Sequence, residues 1–165
     1  MKIFQLLALC ACIALAACQQ GETEADAAAK LDIFPAEASG KILIAPYKFE
    51  DKGEMCQCQY ILKNTSDKTL QSFRSTVYVT NENGRFACDI GVMGDKVEAG
   101  ETQILTNMTN AQKCGNVQSL EHYYNDRCSF KKGYGNDCSD EDLNFMNNAG
   151  ISWTHDADSG EIISK

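Results

Sequence analysis

Cys56 and Cys58 stand one residue apart and directly follow Met55. On an extended strand, residues two apart share a face, so these sulfurs form a soft-donor set suited to Cu(I) or to thiol–disulfide exchange. A second reading competes: the two thiols enter two different disulfides, with partners among Cys88, Cys114, Cys128 and Cys138. That reading is the expectation here, with all six cysteines structural. Asp156, Asp158 and Glu161 surround Gly160 as oxygen donors would, but Ser159 stands where a calcium loop places an acidic or amide residue, so a solvated turn is expected. His122 and His155 are the only histidines, and neither has a second histidine or a cysteine at helical spacing. They are expected at the surface or in packing. The chain has no Gly-x-Ser-x-Gly elbow, no catalytic cysteine signature and no phosphate-binding glycine loop. No catalytic residue, metal site or cofactor is therefore assigned, and the protein is expected not to be an enzyme.

The elements that must carry these residues read as strands. From Lys41 onward apolar residues alternate: Ile42 with Ile44, then Cys56, Cys58, Tyr60 and Leu62, which predicts half-buried strands separated by a turn at Asp51-Lys52-Gly53. Asn64 to Lys68 is a polar connection. Leu70 to Thr80 is dense in β-forming residues, and Asn83-Gly84 after it is a strong hairpin signal because both residues tolerate positive φ. Phe86, Cys88 and Ile90 continue as the return strand, and Glu101 to Met108 reads as another.

The C-terminal third mixes signals. Val117 to Tyr124 suits a strand or a short helix, with Tyr123 and Tyr124 expected in packing. Lys131 to Asn136 forms a glycine-bearing loop bracketed by Cys128 and Cys138, the pairing its length favours. Ser139-Asp140-Glu141-Asp142 resembles a capping box and predicts a short helix with Leu143 and Met146 on its apolar face and Gly150 as its C-cap. Ile151 to Trp153 and Ile162-Ile163 predict a terminal hairpin.

Charge and cysteine content set the compartment. Of nine cysteines in 165 residues, Cys10 and Cys12 precede Cys18, and six follow it. An even set in an oxidising compartment predicts three disulfides. Ile3 to Leu15 is an apolar run behind Lys2, too short for a membrane span, which needs about 20 residues. It ends in Leu15-Ala16-Ala17-Cys18, which resembles the lipobox of bacterial lipoprotein precursors. The resemblance implies cleavage before Cys18, a thioether-linked diacylglycerol on Cys18, and anchoring through several acyl chains. Gln19, rather than an aspartate, implies sorting to the outer membrane. Residues 1–17 are then a signal peptide, 18–38 a flexible tether rich in Ala, Glu and Gln, and 39–165 a single disulfide-bonded domain. Loss of Lys2 leaves 14 basic against 23 acidic residues, a net charge of −9. Nucleic acid is therefore not an expected partner.

Tyr60 to Leu70, Val77-Tyr78-Val79 and Ala99 to Thr102 resemble the small immunoglobulin- or fibronectin-III-like domains of bacterial envelope proteins. The resemblance implies a mainly β, antiparallel sandwich, disulfide-stapled, with a binding or scaffolding role. The functional expectation is a lipid-anchored, non-enzymatic interaction module of the cell envelope. It engages the membrane through Cys18 and a protein of the envelope or of a host surface, with edge-strand homodimerisation open. The alternatives are an envelope redox or copper-handling protein acting through Cys56 and Cys58, or a periplasmic inhibitor or immunity protein.

Overall fold

A computed structural model describes residues 33–38, 40–92, 96–133, 135–148 and 150–155. Cys18, the acidic turn at 156–161 and the second arm of the expected terminal hairpin lie outside them. The described chain forms β1 (Ile42–Lys52), β2 (Met55–Asn64), β3 (Ser72–Asn81), β4 (Gly84–Ala87), β5 (Ile90–Val92), β6 (Thr102–Met108), β7 (Ser119–Ser129), a single 3₁₀ turn (Asp140–Asp142), β8 (Leu143–Phe145) and β9 (Ser152–His155). Two sheets result, in the orders β6-β2-β1-β8 and β4-β3-β7-β9, with β5 also paired to β3. Their apolar faces meet in a sandwich-like core built on Tyr60, Leu62, Phe73, Val77, Leu120 and Trp153.

Short turns make the local pairs. Gly53 at φ +65° closes the β1–β2 hairpin, in which Lys52 faces Met55. At the β3–β4 hairpin the turn residues are Glu82 and Asn83, and only Gly84 carries the positive φ, at +126°. Asn81 accounts for the shift: its Oδ1 accepts from the Asn83 N–H at 2.8 Å, which holds Asn83 in an ordinary conformation. The return strand breaks after Ala87, where Cys88 turns into the core, and resumes as β5.

β1 departs from the predicted alternation, since Ile42 to Pro46 are all buried. A second apolar cluster on the outer face of the first sheet explains this: Leu43, Ala45 and Ile61 pack under Phe34, with Ile104 and Met146 alongside. Phe34 belongs to the segment read as tether, so coverage of this sheet begins at the end of that segment.

Two C-terminal expectations are corrected. The described residues contain no α-helix, and none long and apolar enough to cross a membrane. The capping-box signal at Ser139 produces one 3₁₀ turn, after which Leu143 to Phe145 extend as β8 alongside Ile42 to Ile44. Burying Phe145 against the core outweighs a local preference worth about 1 kcal/mol. The sandwich is also not wholly antiparallel, because β8 joins β1 and β9 joins β7 in parallel.

Asp142 anchors this turn. It accepts from Lys41 Nζ and from the Ser139 N–H, while its carbonyl receives the Lys41 N–H at 2.8 Å. Burial pushes its carboxyl up, but the hydrogen bonds from Lys41 and Ser139 more than offset this and hold it below the ordinary carboxylate value. A carboxylate depressed in the folded state stabilises above its unfolded pKa of about 4 and loses that contribution as pH falls through the folded value. Asp142→Asn is thus expected to cost about 1 kcal/mol at pH 7. Denaturant midpoints of variant and parent should converge below about pH 3. Parallel curves over the whole range would exclude this role.

Candidate functional site

β3 alternates strictly, with Phe73, Ser75, Val77 and Val79 inward and the even residues outward. Tyr78 therefore stands on the outer face of the second sheet, directly paired with Glu121 of β7 and Ala87 of β4. Arg85 of β4 lies over the Tyr78 ring, 3.8 Å from its centroid, and its Nη2 donates to Glu121 Oε1 at 2.8 Å. The guanidinium is held both by a π-face and by a carboxylate.

β7 then does something alternation does not predict. Val77 pairs with His122 and Thr76 with Tyr124, so Tyr123 is an inserted residue, and a second irregularity follows between Arg74 and Ser75. A bulge re-aims side chains. Here it turns two consecutive tyrosines outward, Tyr123 at 37% and Tyr124 at 48% exposure. Their rings contact edge-on at 5.0 Å, and Tyr123 meets Tyr78 edge-on at 5.7 Å. Tyr123 and Tyr124, expected in packing, pack on each other and on Tyr78 at the surface rather than in the core: the bulge spends one residue of register, and both rings are exposed. Three tyrosines and an arginine make one continuous patch. Tyrosine and arginine are the residue types over-represented where proteins bind one another tightly. The rings are steeply inclined to one another, 75° and 68°, rather than coplanar, so they offer an interlocking relief instead of the flat platform on which a sugar ring stacks.

No family model matches this chain, and no curated protein matches it. Among solved structures, one described as the structural characterization of IrmA from Escherichia coli is similar over 64% of this chain and 90% of that chain, at 18% identity and a TM-score of 0.47. That likeness is too shallow to assign a family.

Of the sequence-predicted cysteines, Cys56, Cys58, Cys88 and Cys114 lie in the core between the sheets, whereas Cys128 and Cys138 line a cleft together with Tyr123 and Tyr124. Cys56 bonds Cys114, Cys58 bonds Cys88 and Cys128 bonds Cys138. Cys56 and Cys58 share the inner face of β2, their sulfurs 3.5 Å apart, yet belong to different bonds. Neither thiol is thus available as a Cu(I) ligand in this state. Cys58–Cys88 links the first sheet to the segment joining β4 and β5. Cys56–Cys114 pins the long connection between β6 and β7, and the Cys114 N–H also donates to Asp51 Oδ1 at 2.8 Å. Cys128–Cys138 closes the loop after β7, reinforced by Asp137 N–H to Cys128 O at 2.9 Å.

Beside these bonds Tyr60 is wholly buried, donating its hydroxyl to Cys88 O at 2.8 Å with Phe49 edge-on at 5.7 Å. Burial, with the Asp89 charge adding to it, pushes its phenol well above the ordinary range, so it acts as a neutral structural donor. His122 is buried and stacked on Phe145 at 4.2 Å, with Nε2 3.1 Å from Asn125 Oδ1. The β7–β9 register sets His155 beside it along the backbone. Among the described residues no group of three or more His, Cys, Asp or Glu could hold a metal ion.

Proposed function

We propose that this protein is a lipid-anchored interaction module of the bacterial cell envelope, an immunoglobulin- or fibronectin-III-like sandwich that engages another protein without catalysing a reaction. The observation carrying the reading is the outward face of Tyr78, Tyr123 and Tyr124 with Arg85, a patch whose composition and relief suit protein recognition. The lipobox ending at Cys18 supplies the tether, and Gln19 the outer-membrane destination.

Two results test the reading separately. Cys18→Ala should move the protein from the membrane pellet to the soluble fraction, and a variant that stays in the pellet contradicts the anchor. Tyr123→Ser with Tyr124→Ser should change stability by no more than about 1 kcal/mol, since both side chains are exposed. The same variant should abolish a crosslink that the parent forms from this face on intact cells. An unchanged crosslink would dismiss the tyrosine face. The redox or copper alternative requires the Cys56 and Cys58 bonds to open. Alkylation of the native protein that labels neither cysteine removes it.

A further inference from the structure

β6 ends the first sheet, so one of its edges is unpaired within that sheet. The ladder identifies which groups face out. Thr109 N–H donates to Cys56 O and Asn64 N–H to Glu101 O, so odd-numbered residues of this run direct their backbone groups to β2. Ile104 and Thr106 therefore direct N–H and C=O away from it, with no backbone partner among the described residues. Met108 has the same parity, but its N–H is occupied by Asn107 Oδ1 at 2.8 Å. Thr102 shares this parity as well, so the open stretch runs from residue 102 to residue 106.

That stretch borders a cleft of about 500 Å³ in the seam between β5 and β6, within the range of roughly 300–1,000 Å³ usual for ligand clefts. Its floor is apolar, made by Leu105, Ile90 and Val92, and side chains bridge its two ends. Gln103 Nε2 donates to Lys96 O and Asn107 Nδ2 to Asp89 O, each at 3.0 Å. In the wall, Asp89 meets Arg74 Nη2 through Oδ2 at 3.4 Å. Its other oxygen, Oδ1, is buried and accepts no hydrogen bond among the described residues. A buried carboxylate oxygen left unsatisfied is costly, and a donor, above all a cationic one, relieves it.

We propose that this seam binds an extended peptide of another protein, added antiparallel along β6, with an apolar side chain over Leu105 and a basic side chain two residues before it. The backbone of Ile104 and Thr106 supplies the ladder, as in strand addition to other sheet edges. The apolar residue drops onto the Leu105 floor, and the basic residue, opposite Asn107, meets the Asp89 carboxylate, whose side chain is 24% exposed. The bridged ends limit the seam to a short segment, and the net charge of −8 favours a basic occupant. The seam shares no residue with the tyrosine face, so the two sites are tested independently.

The test uses an acetylated and amidated threonine hexapeptide carrying lysine at its second position and valine at its fourth, titrated into the full chain. Amide exchange is followed residue by residue. Binding should slow exchange at Ile104 and Thr106, and Thr106→Pro, which removes one outward N–H and leaves the ladder to β2 intact, should weaken it about tenfold or more. Asp89→Asn should weaken the lysine peptide about tenfold and erase its advantage over the norleucine counterpart. No binding at millimolar peptide, protection elsewhere, or equal affinity for the Thr106→Pro protein overturns the site. Equal affinity of the parent for the lysine and norleucine peptides overturns the role of Asp89.

Discussion

Replacing Cys56 and Cys114 together by alanine is expected to lower the unfolding free energy by about 4 kcal/mol, the largest loss among the three disulfides. A crosslink restrains the unfolded chain in proportion to the logarithm of the loop it closes, and the separations are 58, 30 and 10 residues. The Cys58, Cys88 pair should cost slightly less, and the Cys128, Cys138 pair about 3 kcal/mol. Packing widens the gap, because Cys56 and Cys58 are fully buried whereas Cys138 lies only at the margin of the core. Guanidinium unfolding of the three double variants checks the order. If the Cys128, Cys138 variant proves the least stable, loop length is not what governs these bonds.

How far the architecture was legible depended on the distance over which each signal acted. The β1–β2 and β3–β4 hairpins and β6 are written in alternation and turn residues close together in the chain, and these elements stand within a few residues of where the pattern puts them. Three features escaped for different reasons. The capping box at Ser139 is a local preference, whereas the pairing of Leu143 with Ile42 is contact across a hundred residues, which no window along the chain contains. The inserted Tyr123 breaks the period of two, and a period cannot announce its own exception; a pair of adjacent tyrosines inside an otherwise alternating strand was the available hint. The double-sided burial of β1 depends on Phe34, in a stretch whose composition is that of a linker. Cysteine count predicted stapling and loop length singled out Cys128 with Cys138, but the partners of Cys56 and Cys58 follow from the sheet geometry.

Trp153→Ala is expected to cost about 3–5 kcal/mol. The indole is 1% exposed, lies 5.0 Å from Phe145 and 6.3 Å from Tyr60, and donates Nε1–H to Met146 O at 2.9 Å. Alanine would leave a cavity at the junction of both sheets and an unanswered carbonyl on Met146. Trp153→Phe should recover more than half of the loss, since it restores the ring but not the donor. The chain has one tryptophan, so its fluorescence reports this site alone: emission should be blue-shifted in the native protein and shift red in a single step with the loss of β-sheet circular dichroism. A red shift that precedes the main transition would mean that β9 detaches on its own and that the core does not depend on it.

The parallel docking of β8 and β9 also sets an order of events. Synthesis and export alike deliver β1 first, yet the neighbour of β1 at the sheet's end arrives about a hundred residues later, and the indole that fills the junction comes later still. Until then the growing chain can close its hairpins but must hold Tyr60 and Leu120 without their final cover. Closure is therefore a late, whole-chain event, slow in the manner of folds rich in distant contacts. Nascent chains arrested before residue 143 should be protease-sensitive and sticky, whereas release of the complete chain should make resistance appear abruptly.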